Sequence, residues 1–305
     1  MRDAFSDALV RLATNDPKVL LLTGDHGYAL FDPFRKACPA QYVNAGIAEQ
    51  NMVGMAAGLA RAGYRPFVYG LAAFVPVRTL EQIKLDIAHD DLPVVLLGDG
   101  AGFVYSHLGT SHQSTEDIAC TRAVPGLVVL SPADRHEMTV CMDFAYASRR
   151  SVYLRMGKSD RGDVHPGGLA PLQAGQPLQL RAGRADLPAL VATGSMVRTA
   201  LDIGANHLDC AVWSVPSIKP LDAEAIVRIA QASRGIVALE EHSTQGGLGS
   251  AVAEIVAERH PVRVLRIGVP DRFSEHCGTH AYLLREHGLD HDAVLARVQA
   301  FAAAA

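Results

Sequence analysis

The sequence has no long hydrophobic run, no paired-cysteine motif and no excess of positive charge. Its longest apolar stretches, such as the one ending at Leu97, fall far short of the ~18 residues that a membrane span needs. Met1 to Thr14 carries Arg2, Asp3, Asp7 and Arg11 without an apolar core, so neither a signal peptide nor an anchor is expected there. The five cysteines (Cys38, Cys120, Cys141, Cys210, Cys277) are an odd number with no CxxC pair. That excludes a zinc site or disulfide framework on sequence grounds and points to reduced thiols in a cytoplasmic protein. With 28 basic and 32 acidic residues the formal charge is −4. Neither nucleic acid nor an anionic membrane is an expected partner. No GxGxxG follows an apolar run, so a dinucleotide site has no support. Asparagine is scarce: Asn15, Asn44, Asn51 and Asn206 are the full set.

What is present is a chain of 305 residues, 49% hydrophobic, enough for two domains with a core each. Apolar periodicity alternates between strand-like runs (Val19 to Leu22, Pro66 to Gly70, Pro93 to Leu97, Leu127 to Leu130, Ser151 to Arg155) and helical faces. Strands buried on both sides and separated by helices predict a parallel α/β sheet. Lys158 to Gly183 interrupts the pattern with Gly162, Pro166, Gly167, Gly168, Pro171, Gly175 and Pro177. The alternation then resumes and ends on a helix near Asp290 to Phe301. The expectation is an α/β protein of two domains, each a mostly parallel sheet flanked by helices. Their bounds are residues 1–160 and 186–305, joined by a linker at 161–185. Ligands in such sheets sit beyond the carboxyl ends of strands. That rule selects Asp25, the Gly98 loop, Ser131-Pro132 and Arg155, then Pro216 to Lys219 and Glu240-Glu241-His242.

The most informative stretch runs from Asn44 to Ala60. Asn44 is placed to cap a helix, and Glu49 falls in its first turn. By position alone Glu49 is an acid near a helix N-terminus. Gly54, Ala56, Ala57 and Gly58 allow close packing, however, and a carboxyl group on a buried helix suits proton exchange near neutral pH.

This segment closely resembles the pyrimidine-binding domain of transketolases and deoxyxylulose-phosphate synthases. Phe74-Val75-Pro76-Val77-Arg78 with Glu81-Gln82-Ile83 is similar to the family's aromatic–Arg–Glu-Gln helix, and Gly109-Thr110-Ser111-His112-Gln113 to its Thr-His-Gln loop. Glu240-Glu241-His242, Gly246-Gly247-Leu248-Gly249 and Val269-Pro270-Asp271-Arg272-Phe273 resemble the transketolase C-terminal domain. The resemblance implies thiamine diphosphate and Mg²⁺ as cofactors. Glu49 would contact N1′ of the aminopyrimidine and share a proton there, which activates C2 of the cofactor. Phe74 would stack on the pyrimidine, with Asp25 and Arg78 also at the cofactor. His112 would be catalytic and bind substrate oxygens. Gln113, His107 and Arg155 would bind substrate, Arg155 through an anion. Asp25 reads equally as a helix cap, and Arg155 as a strand-end surface cation.

The chain departs from the family in two respects. Gly98-Asp99-Gly100 suggests the family's metal motif, which needs a downstream Asn so that hard oxygen ligands hold Mg²⁺. The next asparagine is Asn206, far outside that spacing. No metal ligand is therefore expected in this chain. The inference is a split enzyme, in which an N-terminal-section subunit anchors diphosphate and Mg²⁺ in an α2β2 heterotetramer. Second, a loop position where the family holds substrate phosphate with His or Arg falls on Gly100, beside Asp99, while Tyr105 and His107 are additions. The expected reaction is transfer of a two-carbon ketol unit between sugar-type substrates. Alternatives are a synthase-like decarboxylating condensation, the β subunit of a 2-oxo-acid dehydrogenase, or a non-catalytic assembly partner.

Overall fold

The computed structural model describes residues 1–158 and 161–304. Its first half runs α1 (Arg2–Asn15), β1 (Val19–Thr23), α2 (Asp32–Ala37), β2 (Tyr42–Asn44), α3 (Glu49–Arg61), β3 (Arg65–Leu71), α4 (Val75–Arg78), α5 (Leu80–Gln82), β4 (Val95–Asp99), α6 (Asp117–Arg122), β5 (Val128–Leu130), α7 (Arg135–Ala147) and β6 (Val152–Met156). The second runs β7 (Leu178–Arg181), β8 (Ala189–Ala192), α8 (Met196–Ile203), β9 (Val212–Ser214), β10 (Ser217–Lys219), α9 (Ala223–Gln231), β11 (Ile236–Ser243), α10 (Leu248–Arg259), β12 (Val264–Val269), α11 (His280–Glu286) and α12 (His291–Ala303).

Alternate residues of each strand serve opposite faces. On β3, Phe67 and Tyr69 join α1 and α7 through Phe5, Leu9 and Met138. Val68 between them packs against Met52, Val53 and Ile83. A strand buried on both faces must be apolar throughout, which is why these runs are legible in the sequence. The second sheet is sandwiched likewise. Leu190 and Leu239 face Val197, Leu283 and Val298, while Val191 faces Ile226 and Val252.

The first sheet has the order β10-β5-β6-β4-β3-β1-β2 and the second β12-β11-β8-β9-β7. Pairing is parallel except at β10–β5 and β7–β9. The sheets are mostly parallel, as expected; what the sequence did not indicate is where the two exceptions lie. β7 lies inside the segment read as a linker and forms an edge of the second sheet. β10 comes from the second half yet pairs with β5 of the first. The halves are further stitched by Thr193 Oγ1, which donates to Ser131 O at 3.1 Å, and by Ser243 N, which donates to Thr115 O at 2.7 Å.

Candidate active site

The chain passes from β1 outward to β2 and then back across β1 to β3, so the strand order reverses between β1 and β3. Open α/β sheets bind ligands at that reversal. The loops after β1, β2 and β3 carry Asp25, Glu49 and Phe74 to it.

After β2 the chain turns through Gly46 at φ +72°, a backbone state that suits glycine. Asn44 does not cap α3: its Oδ1 accepts the Gly46 N–H at 2.9 Å inside the turn. Ala48 flanks the helix, which opens directly on Glu49. Glu49 is only 5% exposed. Its Oε2 accepts from Arg78 Nη1 at 2.9 Å. Arg78 ends α4, whose first turn holds Pro76, a residue pre-shaped for that position. The Arg78 guanidinium also lies 4.3 Å from the centre of the Phe74 ring, a cation–π geometry. His112 meets the same ring edge-on, with centroids 5.2 Å apart and planes at 68°. Ser111 Oγ stands 3.0 Å from His112 Nδ1. Four sequence-predicted residues thus form one continuous cluster: a buried carboxylate, its cation, an aromatic face and an imidazole. Glu49 is thus a buried carboxyl group whose ion-pair partner, Arg78, is itself about half exposed.

Gly54 and Gly58 were expected to allow close packing, but among the described residues no atom outside the neighbouring turns of α3 lies within 4 Å of where a side chain on either would begin. Ala56 and Ala57 on the other face are buried. The glycine side of α3 is open in this chain.

Asp25 has a left-handed φ of 59°. It caps no helix. Its Oδ1 accepts from Asn44 Nδ2 at 3.3 Å, which ties it to the loop that leads to Glu49. His26 beside it packs on Tyr69 with centroids 5.5 Å apart, and its buried Nε2 has no hydrogen-bond partner among the described residues.

Two expectations change. Arg155 is 2% exposed and spent on the protein: Nε donates to Asp117 Oδ2 at 2.8 Å and Nη2 to Glu241 O at 2.7 Å. It joins the halves and has no face for a substrate anion. Gln113 turns away from the cluster, its Oε1 accepting from Ser274 Oγ at 2.9 Å. It lines a cavity of about 480 Å³ together with Phe103, Thr110, Ser274 and His287. Tyr105 is not free for a ligand, because its hydroxyl donates to Asp99 Oδ2 at 2.8 Å. His107 is exposed on the same loop as His112.

Asp99 also accepts from Tyr69 at 2.7 Å. Burial, then the Asp99 charge, pushes both phenols well above their ordinary range. The aspartate is a hub for hydroxyl donors, and among the described residues no group of three His, Cys, Asp or Glu is placed to hold a metal. Over Asp99 the Tyr105 ring fills the space where a Gly100 side chain would start. Arg2, Gly27, Tyr28, Leu30 and Tyr105 line a neighbouring hollow of about 500 Å³.

Sequence reasoning missed what holds the loop of His112. Glu241, selected in the sequence only as part of Glu240-Glu241-His242 after an apolar run, is 2% exposed. Its Oε1 accepts from Phe103 N at 2.7 Å and His280 Nε2 at 3.0 Å, and its Oε2 from the Ser195 hydroxyl. Burial alone would raise its pKa, but these bonds, His280's first, hold it below the usual carboxylate range. Ser274 and His287 carried no signal, since nothing local distinguishes them from surface residues.

Comparison with known proteins agrees with this architecture. Residues 1–162 match the model of the transketolase pyrimidine binding domain, and residues 182–294 that of the transketolase C-terminal domain. One of the subunits of the apulose-4-phosphate transketolase from Phocaeicola vulgatus is 36% identical over 96% of this chain and 94% of its own length. The 6-deoxy-6-sulfo-D-fructose transketolase subunit SqwH of Clostridium sp. is 33% identical, covering 95% and 90%. A solved structure described as a split gene transketolase, an inactive beta4 tetramer, superimposes with a TM-score of 0.87 at 35% identity, covering 98% of this chain and 96% of that one. The chain belongs to the transketolase family, as the pyrimidine-binding and C-terminal section that split enzymes carry on a subunit of its own.

Proposed function

We propose that this chain supplies the pyrimidine half of the site in a split, thiamine-diphosphate-dependent transketolase that moves a two-carbon ketol unit between sugar-type substrates. The observation that carries the reading is the Glu49–Arg78–Phe74–His112 cluster at the strand-order reversal. A dry carboxylate beside an aromatic face fits an aminopyrimidine, which needs a proton partner at a ring nitrogen and a stacking surface. When bound, thiamine diphosphate supplies the electron sink for breaking and making the carbon–carbon bond. Glu49 accepts and returns a proton at N1′. Arg78 keeps that carboxylate in place, and Phe74 fixes the ring plane. His112 donates to or accepts from substrate oxygens across the same ring. Asp25 closes the β1 side of the site, and His107 reaches substrate from the tip of its loop.

Diphosphate and Mg²⁺ fall in this reading to an N-terminal-section partner, because Asp99 is committed to Tyr69 and Tyr105. The assembly is an α2β2 heterotetramer, and the free cysteines suit a cytoplasmic setting. At Gly100 the loop offers no His or Arg to a substrate phosphate, and Asp99 beside it is buried and engaged by Tyr69, Tyr105 and, at 3.7 Å, Arg2. The substrate is accordingly a sugar other than the ordinary pentose and triose phosphates, such as an unphosphorylated or carrier-attached one.

Reconstitution tests this. Neither subunit alone should turn over, and the pair should do so with thiamine diphosphate and Mg²⁺. Glu49→Gln should lower the rate roughly 10²–10⁴-fold, the usual worth of a positioned proton partner. Unchanged turnover in that variant would leave this chain only a scaffold role. Efficient use of xylulose 5-phosphate and ribose 5-phosphate would sink the substrate assignment.

A further inference from the structure

The loop between β4 and α6 carries His112, and the second domain grips both of its feet. At the neck, Gly102 and Ser114 exchange backbone hydrogen bonds of 2.8 and 3.0 Å. Just inside it, Phe103 N donates to Glu241 Oε1 at 2.7 Å. Glu241 approaches so closely that a side chain on Gly102, itself at φ +67°, would overlap its carboxylate. The Phe103 ring is fully buried and lies on His287, centroids 4.9 Å apart and planes at 17°. At the other foot Gln113 Oε1 accepts from Ser274 Oγ, and His287 Nε2 stands 2.9 Å from the same oxygen. His287 therefore touches both feet, one through its face and one through Ser274. Glu241 is fixed in turn by Ser195 and His280. Between the feet the chain is free to meet the first domain, and there His112 lies against Phe74.

We propose that Glu241, Ser274 and His287 are positioning residues: the C-terminal domain acts as a clamp that sets where His112 stands against the Phe74–Glu49 cluster. The claim rests on the function proposed above for His112, but the clamp itself is a property of this chain. It gives the second domain a task in the reaction although none of its residues belongs to the cluster. Glu241 suits the task because a carboxylate can accept from three donors on three elements at once, so the loop, α11 and the turn before α8 are locked to one another. Gln113 suits it because its amide accepts from the clamp one residue away from the imidazole being placed.

The test uses the reconstituted enzyme and two readouts. Hydrogen exchange of this chain should quicken at residues 103–113 in Glu241→Ala and in Ser274→Ala, with β1, β3 and α3 unchanged. Glu241→Gln keeps an oxygen for the Phe103 N–H and should restore most of the protection. In turnover, Ser274→Ala should lower kcat/KM roughly 2- to 10-fold, the worth of one hydrogen bond. In a His112→Ala background the same change should have no further effect. If Glu241→Ala does not fold, Ser274→Ala carries both readouts. Unaltered exchange in the loop overturns the clamp, and so does an equal loss in the His112→Ala background. Failure of the unmodified pair to transfer any ketol unit would refute the proposed function instead, while exchange would still decide the clamp.

Discussion

Replacing Arg155 with Met separates a buried structural cation from a substrate-binding one. The guanidinium is closed off from solvent between three acceptors, Asp117 Oδ2 at 2.8 Å, Glu241 O at 2.7 Å and Ser114 O at 3.4 Å. Asp117 is fully buried, and besides Arg155 its Oδ2 has the Tyr153 hydroxyl at 2.7 Å, while Oδ1 has no hydrogen-bond partner among the described residues. Methionine fills the volume but leaves that carboxylate with one hydrogen bond and no counter-charge. Breaking a buried pair from one side costs about 3–5 kcal/mol, most of it the penalty of the stranded charge. Taking Asp117 to Leu as well removes the stranded charge. Arg155→Met/Asp117→Leu should therefore regain most of the loss, a coupling that a double-mutant cycle measures. The assay is urea unfolding of the four proteins, followed by far-ultraviolet circular dichroism. A wild-type midpoint in Arg155→Met, together with a raised KM for substrate, would refute the structural argument and restore Arg155 to the substrate site.

Two further outcomes follow from the same reasoning. His165 Nε2 lies 2.8 Å from Glu137 Oε1; burial pulls its pKa down, but the bond and charge of Glu137 outweigh that and raise it above the ordinary 6.5. A raised folded value means the stabilisation is complete below about pH 6.5 and is lost as pH climbs through the folded value. The gap in urea midpoint between the unmodified chain and His165→Ala should accordingly narrow from pH 6 to pH 8.5; a constant gap would exclude the linkage. Gly100→Ala should destabilise the chain by about 1–3 kcal/mol, from the positive φ and the displaced Tyr105 ring. Most of the ring's share should vanish in Tyr105→Ala, and urea midpoints that add without coupling would contradict the overlap.

The core of each sheet was readable because a strand covered on both faces has no choice of residue type. Val19 to Leu22 and Val95 to Leu97 can only be apolar. The edges were not readable. β7 sits between Pro177 and Gly183 with half-exposed side chains, and β10 is three residues long, paired with a strand far back in the chain. Nothing local announces such pairings, because the partner supplies the reason for the strand. The site divides in the same way. Glu49, Phe74, Arg78 and His112 could be singled out because their motifs are local, yet the contacts that join them span three separate segments.

Arg155 shows where the carboxyl-end rule loses its power. The rule finds polar residues that follow apolar strands, and it takes them for ligand contacts. In this fold the second domain docks along part of that same edge. Loops there leave amides and carbonyls that need partners whether a substrate or a domain covers them. Glu240 and Glu241 make the point side by side. Alternation along β11 sends them to opposite faces, so Glu240 accepts from Leu248 N and Gly249 N at the start of α10, while Glu241 reaches the loop of His112. Two identical residues in one motif thus serve a helix end and the loop of His112. Only the position of β11 between two packed layers tells them apart.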